Sequence, residues 1–122
     1  MEITRSGDRS AVYGGRFTGR VELEMIAPAA SPDAPDTARV HFFDGAVTNW
    51  HRHPGGQQLV LISGTGRAGV DDHGEQIEPG THVAFPVAER HWHGAAAGHD
   101  CVWLVITWGV TEWEDGAPDL SV

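Results

Sequence analysis

Glycine, proline and aspartate divide this chain into short runs of strand-forming residues. There are 16 glycines and 7 prolines in 122 residues, and we find no segment of about ten or more residues with helical periodicity. The alternation of apolar and polar residues predicts strands over residues 20–25, 38–43, 48–52, 58–63, 67–70, 82–85, 91–96 and 101–108. Short strands at regular spacing with glycine turns are typical of a sandwich or a closed barrel. We therefore expect an all-β fold whose sheets enclose an interior.

The length of the chain predicts a single domain over residues 1–122. We expect its core over residues 38–108, preceded in residues 1–37 by one strand and a proline-rich loop. The acidic tail, residues 109–122, is expected on the surface. Because no apolar run opens the sequence and the single cysteine allows no internal disulfide, a cytoplasmic location is expected.

Charge and composition exclude several classes of function. The formal net charge is −9, from 17 acidic and 8 basic residues, which argues against a nucleic-acid or membrane partner. Every basic side chain is arginine, so no lysine can form a Schiff base. The nucleophile elbow, the phosphate-binding glycine loop and the paired-cysteine zinc motif are all absent from the sequence. We therefore expect a small-molecule substrate as the partner of this chain.

Histidines two residues apart are the main chemical signal in the sequence. His51 and His53 leave the same face of an extended strand, roughly 6.6 Å apart along it, so their imidazoles can converge on one point. The turn Pro54-Gly55-Gly56 follows, and Gln57 then offers an amide oxygen. If the turn is tight, Gln57 stays on the histidine side and Gln58 points outward.

A second histidine pair lies downstream, in the segment from Pro86 to Gly94. His91 and His93 share one face of a strand, so either can supply a third imidazole. If His91 is that ligand, His93 is either a pocket residue that carries a proton near neutral pH or a surface residue at a strand end.

The two segments resemble the two motifs of the cupin family. The first motif corresponds to Gly45, His51, His53, Gln57 and Gly64, and the second to Pro86-x-Ala88-x-x-His91. Cupins usually carry glutamate in place of Gln57, glycine in place of Ala88 and often asparagine in place of Ala95. The resemblance covers residues 38–108 and implies a double-stranded β-helix, the cupin jelly roll.

The resemblance also implies one divalent transition metal with His51, His53, Gln57 and His91 as ligands. Manganese and iron are favoured, while nickel, cobalt and zinc also suit a mixed nitrogen and oxygen ligand set. Replacing glutamate by Gln57 removes one negative charge, so a bound cation polarises water or substrate more strongly.

Within the family, these segments are most similar to small single-domain cupins that include bacterial hydroxynitrile lyases. The resemblance implies reversible addition of cyanide to an aldehyde, with His93 or a metal-bound hydroxide as the base. Val40, Phe42, Trp103 and Thr107 are predicted to line the pocket. Those lyases carry polar groups, including a histidine, on the last core strand, where this chain has Trp103 and Thr107, so substrate or reaction can differ.

Two other functions stay open at this stage: an Fe(II)-dependent dioxygenase, and a binding module for a small ligand without catalysis. The resemblance further implies a homodimer in which residues 21–25 cross onto a partner. Trp50 and Trp92 are expected to pack in the core, and Glu89 and Arg90 to be solvated turn residues. The remaining histidines, His41, His73, His82 and His99, lack ligand spacing, and we expect no functional role for them.

Overall fold

The computed structural model describes residues 1–12 and 14–121, and strands are the regular elements of this part of the chain. In chain order they are β1 (Arg9–Ala11), β2 (Val21–Ala27), β3 (Asp36–Phe42), β4 (His51–Arg52), β5 (Gln57–Gly64), β6 (Gly66–Val70), β7 (His73–Ile77), β8 (His82–Phe85), β9 (Trp92–Ala95), β10 (Cys101–Thr107) and β11 (Glu112–Trp113). The all-β prediction is confirmed.

Three antiparallel groups of strands form the two faces of the jelly roll. The larger face is a six-stranded sheet in the order β1-β2-β3-β10-β5-β8. The other face contains the three-stranded sheet β7-β6-β9 and the short pair β11-β4. Isolated bridges from Val47 to Gly94 and from His51 to His91 join β9 to the segment around β4.

The central strand of the larger face, β10, shows how the interior is built. Cys101, Trp103, Val105 and Thr107 are buried, whereas the residues between them are partly exposed. This alternation is the period of two that an extended strand requires when one face is buried. β10 lies between β3 and β5, so its inward side chains lie in the middle of the core.

The barrel begins before the predicted core. β2 pairs with β3 over its length, and Val21 is only 1 % exposed in the main apolar cluster. The proline-rich loop therefore connects two neighbouring strands of one sheet and does not separate an appendage from the barrel. Because β2 pairs here with β3 of its own chain, the homodimer stays a prediction.

The acidic tail is mostly exposed and also pairs with the barrel. After Gly109, whose φ of +84° suits glycine, the chain returns so that β11 pairs with β4. Glu114 is anchored by Arg90, whose Nε lies 2.7 Å from the Glu114 carboxylate. Arg90 also stacks its guanidinium 3.8 Å from the ring centroid of Trp50. Arg90 is thus a contact of the tail as well as a loop residue, and its side chain is 32% exposed.

Among the described residues, none belongs to a helix of the length and apolarity needed to cross a membrane. The cytoplasmic location stays a prediction.

Candidate metal centre

His51 and His91 are brought together by the backbone. The amide of His51 donates to the carbonyl of His91 at 3.0 Å, and the amide of His91 donates to the carbonyl of His51 at 2.9 Å. Residues paired in this way project their side chains to the same side of a sheet. The two imidazole centroids lie 4.2 Å apart, and both residues are buried.

His53 joins this pair through the turn that follows β4. Its ring centroid lies 4.9 Å from that of His51 and 5.2 Å from that of His91. The His53 carbonyl accepts hydrogen bonds from the amides of Gly56 and Ala88 at 3.0 and 2.9 Å, which fixes the turn. Gly55 must lack a side chain, since a Cβ there would lie 2.4 Å from the Cβ of Trp108.

The loop before His91 contains a strained backbone position. Ala88 has a φ of +61°, a left-handed conformation that costs an L-residue with a Cβ roughly 1–2 kcal/mol. Glycine adopts this conformation without that cost, which gives a physical reason for the glycine usual at this position of the motif. The Ala88 amide bond to the His53 carbonyl holds the loop against the first motif.

Gln57 faces the imidazoles, and Gln58 does not. The Gln57 side chain is buried, its Nε2 donates to Thr107 Oγ1 at 2.9 Å, and its Oε1 lies 3.1 Å from His91 Nε2. Gln58 is exposed and contacts His82. The structure therefore places the amide oxygen where the sequence predicts it.

Hydrogen bonds fix which nitrogen of each ring can bind a cation. The Nδ1–H of His51 donates to Asn49 O at 2.9 Å, and the Nδ1–H of His91 donates to Glu89 O at 2.8 Å. A carbonyl oxygen only accepts hydrogen bonds, so the proton resides on Nδ1. The unprotonated Nε2 then directs its lone pair toward the interior. The Nε2 of His91 and the Oε1 of Gln57 are then two acceptors facing each other, an arrangement that a cation would stabilise.

His53 and His93 carry buried nitrogens without partners. His53 Nε2 and His93 Nδ1 make no hydrogen bond within the described chain. A buried polar atom that lacks a partner costs about 1–3 kcal/mol, and a bound cation removes that cost for an imidazole nitrogen. The donor set thus fits a divalent metal.

Two overlapping histidine triads share His51 and His91. The distances between ring centroids favour His53 as the third member, whereas the ring nitrogens that lie within 4.8 Å of one another belong to His51, His91 and His93. His93 sits deeper, with its ring edge-on to Phe42 and Trp103 at 5.5 and 5.7 Å. It is buried, so the alternative of a surface residue at a strand end is wrong.

Burial keeps the four imidazoles neutral. Desolvation lowers the pKa of His51 and of His53 to about 4, and mutual repulsion with His51 adds to the effect at His53. The pKa values of His91 and His93 are lowered by the same cause. Neutral imidazole is the form that binds a metal ion.

A cavity of about 220 Å³ opens beside the imidazoles. His51, His53, Gln57 and His93 form its polar wall, and Val40, Phe42 and Thr107 line it as predicted. Trp103 does not line it and is fully buried. Its indole N–H donates to Gly94 O at 3.0 Å, which turns the ring toward β9 and behind His93. The predicted pocket role of Trp103 is therefore corrected to a packing role.

The tail supplies two site residues that the sequence reasoning missed. Thr111 Oγ1 lies 3.0 Å from His53 Nδ1, and the Trp113 ring lies 4.6 Å from the His51 ring. Both residues line the cavity. The tryptophan in an otherwise acidic tail was the one sequence signal that this segment packs against the barrel.

Similarity to known proteins identifies the family of this chain. The cupin domain family matches residues 38–107. The chain belongs to the cupin family. It is 41% identical over 99 residues to a protein named (R)-mandelonitrile lyase from Granulicella tundricola, which covers 79% of this chain and 76% of that protein.

Solved structures agree with this fold. A cupin-like protein from Thermotoga maritima has a TM-score of 0.82 and 30% identity, covering 96% of this chain and 90% of the other. A predicted oxalate decarboxylase from the same organism has a TM-score of 0.78 and 18% identity, covering 89% and 100%. The second likeness concerns the fold alone.

In this cupin, the site can therefore hold a metal ion in a mostly apolar cavity. Nucleophilic catalysis by cysteine is not available, since burial raises the pKa of Cys101 to about 12 and its thiol donates to Gly94 O.

Proposed function

We propose that this chain is a divalent-metal-dependent lyase that cleaves small cyanohydrins to an aldehyde and hydrogen cyanide, and catalyses the reverse addition. The observation that carries the proposal is the convergence of His51, His53, His91 and Gln57 beside a mostly apolar cavity, which His51, His53 and Gln57 line. The 41% identity to a protein named (R)-mandelonitrile lyase supports the choice of reaction.

The proposed ligands are His51, His53, Gln57 and His91, with manganese or iron favoured. A divalent cation held there supplies a Lewis acid, which stabilises negative charge on the substrate oxygen or on cyanide. A neutral amide at Gln57 leaves more of the cation's charge uncompensated than a carboxylate would. Thr107 holds the Gln57 amide so that its oxygen, not its nitrogen, faces the imidazoles.

The cavity selects a small substrate with an apolar body. Its volume of about 220 Å³ lies below the roughly 300–1,000 Å³ of sites for drug-sized ligands. Side chains of Phe17, Leu23, Val40, Phe42 and Val105 supply the apolar wall. A phenyl or branched alkyl group attached to the carbon that bears the hydroxyl and nitrile suits such a wall.

Enclosure is the second contribution of the chain. Trp113 lies over the His51 ring, and Phe17 contacts Trp113 with ring centroids 5.4 Å apart. Excluding water strengthens the electrostatic interactions that develop on the substrate. His93 also lines the cavity, and burial lowers its pKa, which makes it a weak base.

The test uses purified protein loaded with Mn(II) and incubated with mandelonitrile. We expect release of benzaldehyde and cyanide well above that of free Mn(II), and loss of the release in His53→Ala. His73→Ala, which changes an exposed histidine paired with Glu75, is the matched control and should be active. Release no faster than free metal would show that the lyase proposal is wrong.

The same preparation separates the two alternative functions. A dioxygenase would consume O₂ when the iron-loaded protein meets catechol-like or 1,3-diketone substrates. A binding module would gain thermal stability from a small ligand without turning it over. Either result in the absence of cyanide release would replace the lyase proposal.

A further inference from the structure

Asp36 is a partly exposed acidic residue in the lining of the cavity. It begins β3, whose inward residues are Asp36, Ala38, Val40 and Phe42, and all four line the cavity. Ala38, Val40 and Phe42 are 2 %, 8 % and 1 % exposed, so β3 presents an apolar face except at this carboxylate.

The carboxylate has no partner within residues 1–12 and 14–121. No ion pair or side-chain hydrogen bond of Asp36 occurs among them, although the cavity wall around it contains Met25, Ala38 and Val105. Partial burial raises the pKa of Asp36. A partly buried acid that lines a mostly apolar cavity, with no ion pair or side-chain hydrogen bond to explain it, is a candidate functional group.

Asp36 lies close to the proposed metal ligands without contacting them. It is directly opposite Thr107 on β10, and Thr107 is directly opposite Gln57 on β5. Strand spacing therefore separates the Cα atoms of Asp36 and Gln57 by roughly 10 Å, with both side chains entering one cavity. A small substrate can reach both groups at once.

Among the side chains that line the cavity, elimination leaves Asp36 as the proton-exchanging group. The titratable side chains that line the cavity in the described chain are Arg16, Asp36, His51, His53 and His93. A guanidinium only donates hydrogen bonds, and His51 and His53 are proposed ligands. His93 lines the cavity but is buried against the rings of Phe42 and Trp103. The inward residues of the strands beside Asp36, namely Leu23, Met25, Val105 and Thr107, carry no charge, so only Arg16 and the three histidines face it.

We propose that Asp36 is a catalytic residue that accepts the hydroxyl proton of the substrate, an inference that rests on the proposed lyase function. In cleavage, the hydroxyl proton passes to the Asp36 carboxylate and the O–H electron pair forms the carbonyl double bond. The bond between the carbinol carbon and the nitrile carbon breaks, and its electron pair leaves with cyanide. Asp36 then returns the proton to cyanide, which departs as hydrogen cyanide. Addition to an aldehyde follows the same steps in reverse.

The test compares Asp36→Asn with the parent protein, both loaded with Mn(II), using mandelonitrile. We expect kcat to fall by about 10²–10⁴-fold, the usual contribution of a general base, with metal content and melting temperature retained. The acidic limb of the kcat/KM profile should disappear in the variant. Asp36→Glu, which keeps the carboxylate, should recover part of the activity, and Asp33→Asn on the exposed loop is the matched control.

The possible failures are distinct. If the parent protein releases cyanide and Asp36→Asn releases it as fast, with the same pH profile, the role of Asp36 is wrong and the lyase function stands. If the parent protein releases none, the lyase function itself is wrong and the role of Asp36 falls with it. Should Asp36→Asn fold poorly, an active Asp36→Ala with the same acidic limb would equally overturn the role.

Discussion

The indole ring of Trp113 lies 4.6 Å from the imidazole of His51 and is tilted 31° to it. This contact makes a short C-terminal strand one wall of the cavity, because β11 is held against β4 by backbone pairing and by the ion pair between Arg90 and Glu114. The cavity is therefore completed by a segment outside the two motifs that carry the proposed ligands.

Trp113→Ala should open the cavity and loosen the tail. Removing this half-buried ring should lower the free energy of unfolding by about 1–3 kcal/mol, less than for a fully buried tryptophan. We expect KM for mandelonitrile to rise more than kcat falls, since the wall contacts the substrate body. Thermal melting and steady-state kinetics measure the two effects. Trp113→Phe should keep both the stability and the KM close to those of the parent. Unchanged KM in the alanine variant would show that the wall does not contact substrate.

Thr111→Val should weaken metal binding. The Thr111 hydroxyl is the partner of His53 Nδ1 at 3.0 Å, and losing such an orienting contact typically costs about 10–100-fold in metal affinity. Competition with a chelator for Mn(II) measures the change. Thr111→Ser keeps the hydroxyl and should bind as the parent does. Equal affinity for the valine and serine variants would remove Thr111 from the site.

The sequence predicts those parts of the site whose residues lie only a few positions apart in the chain. His51 and His53 need only the period of a strand to share a face, and the turn at Gly55 returns Gln57 to the same side. Alternation and turn residues predict the strands from β3 to β10 for the same reason, except β7 (His73–Ile77), which the sequence analysis did not predict.

The missed features depend on contacts distant in sequence. Nothing local to Thr111 indicates that it meets His53, 58 residues earlier. Nor does the alternation of β10 distinguish Thr107, which lines the cavity, from Trp103, which lies behind His93 because its N–H bonds Gly94 O. Asp36 was missed because the core was expected to begin at residue 38, two residues after β3 begins.

Gln57→Glu should bind the cation more tightly and turn over more slowly. A carboxylate adds one negative charge beside the imidazoles, and this favours a divalent cation by about tenfold or more in affinity. The same charge reduces the polarisation of the substrate oxygen by the cation, so kcat should fall. Chelator competition and initial rates on one preparation check both directions. An increase in kcat would contradict the role given to the neutral amide, and Gln57→Leu, without an oxygen, should weaken binding.

Glu24 lies on the outer side of β2 and makes the free energy of unfolding depend on pH in the acid range. Its buried carboxylate accepts hydrogen bonds from Arg39 Nη2 at 2.8 Å and from the Gly7 amide at 2.9 Å, with His41 Nε2 also at 2.9 Å. The Arg39 contact, followed by the others, holds the pKa of Glu24 well below its ordinary 4.5. A carboxylate with a depressed folded-state pKa stabilises the protein above its unfolded-state pKa, and that contribution is lost as the pH falls.

Glu24→Gln should therefore lower the free energy of unfolding by about 1.5–3 kcal/mol at pH 7, the range for hydrogen bonds to charged groups. The difference from the parent should shrink as the pH drops below 4.5. Urea melts at several pH values measure it, with exposed Glu75→Gln as the control. A difference independent of pH would contradict the charge-based account.

Metal content of the purified protein tests the account most directly. Elemental analysis of the parent chain, of His91→Ala and of the control His73→Ala should be made at matched protein concentration after removal of loosely bound ions. We predict about one manganese or iron per parent and control chain, and a near-complete loss in His91→Ala with the fold retained. A parent chain that binds no transition metal, or a His91→Ala variant that retains the full complement, would contradict the account.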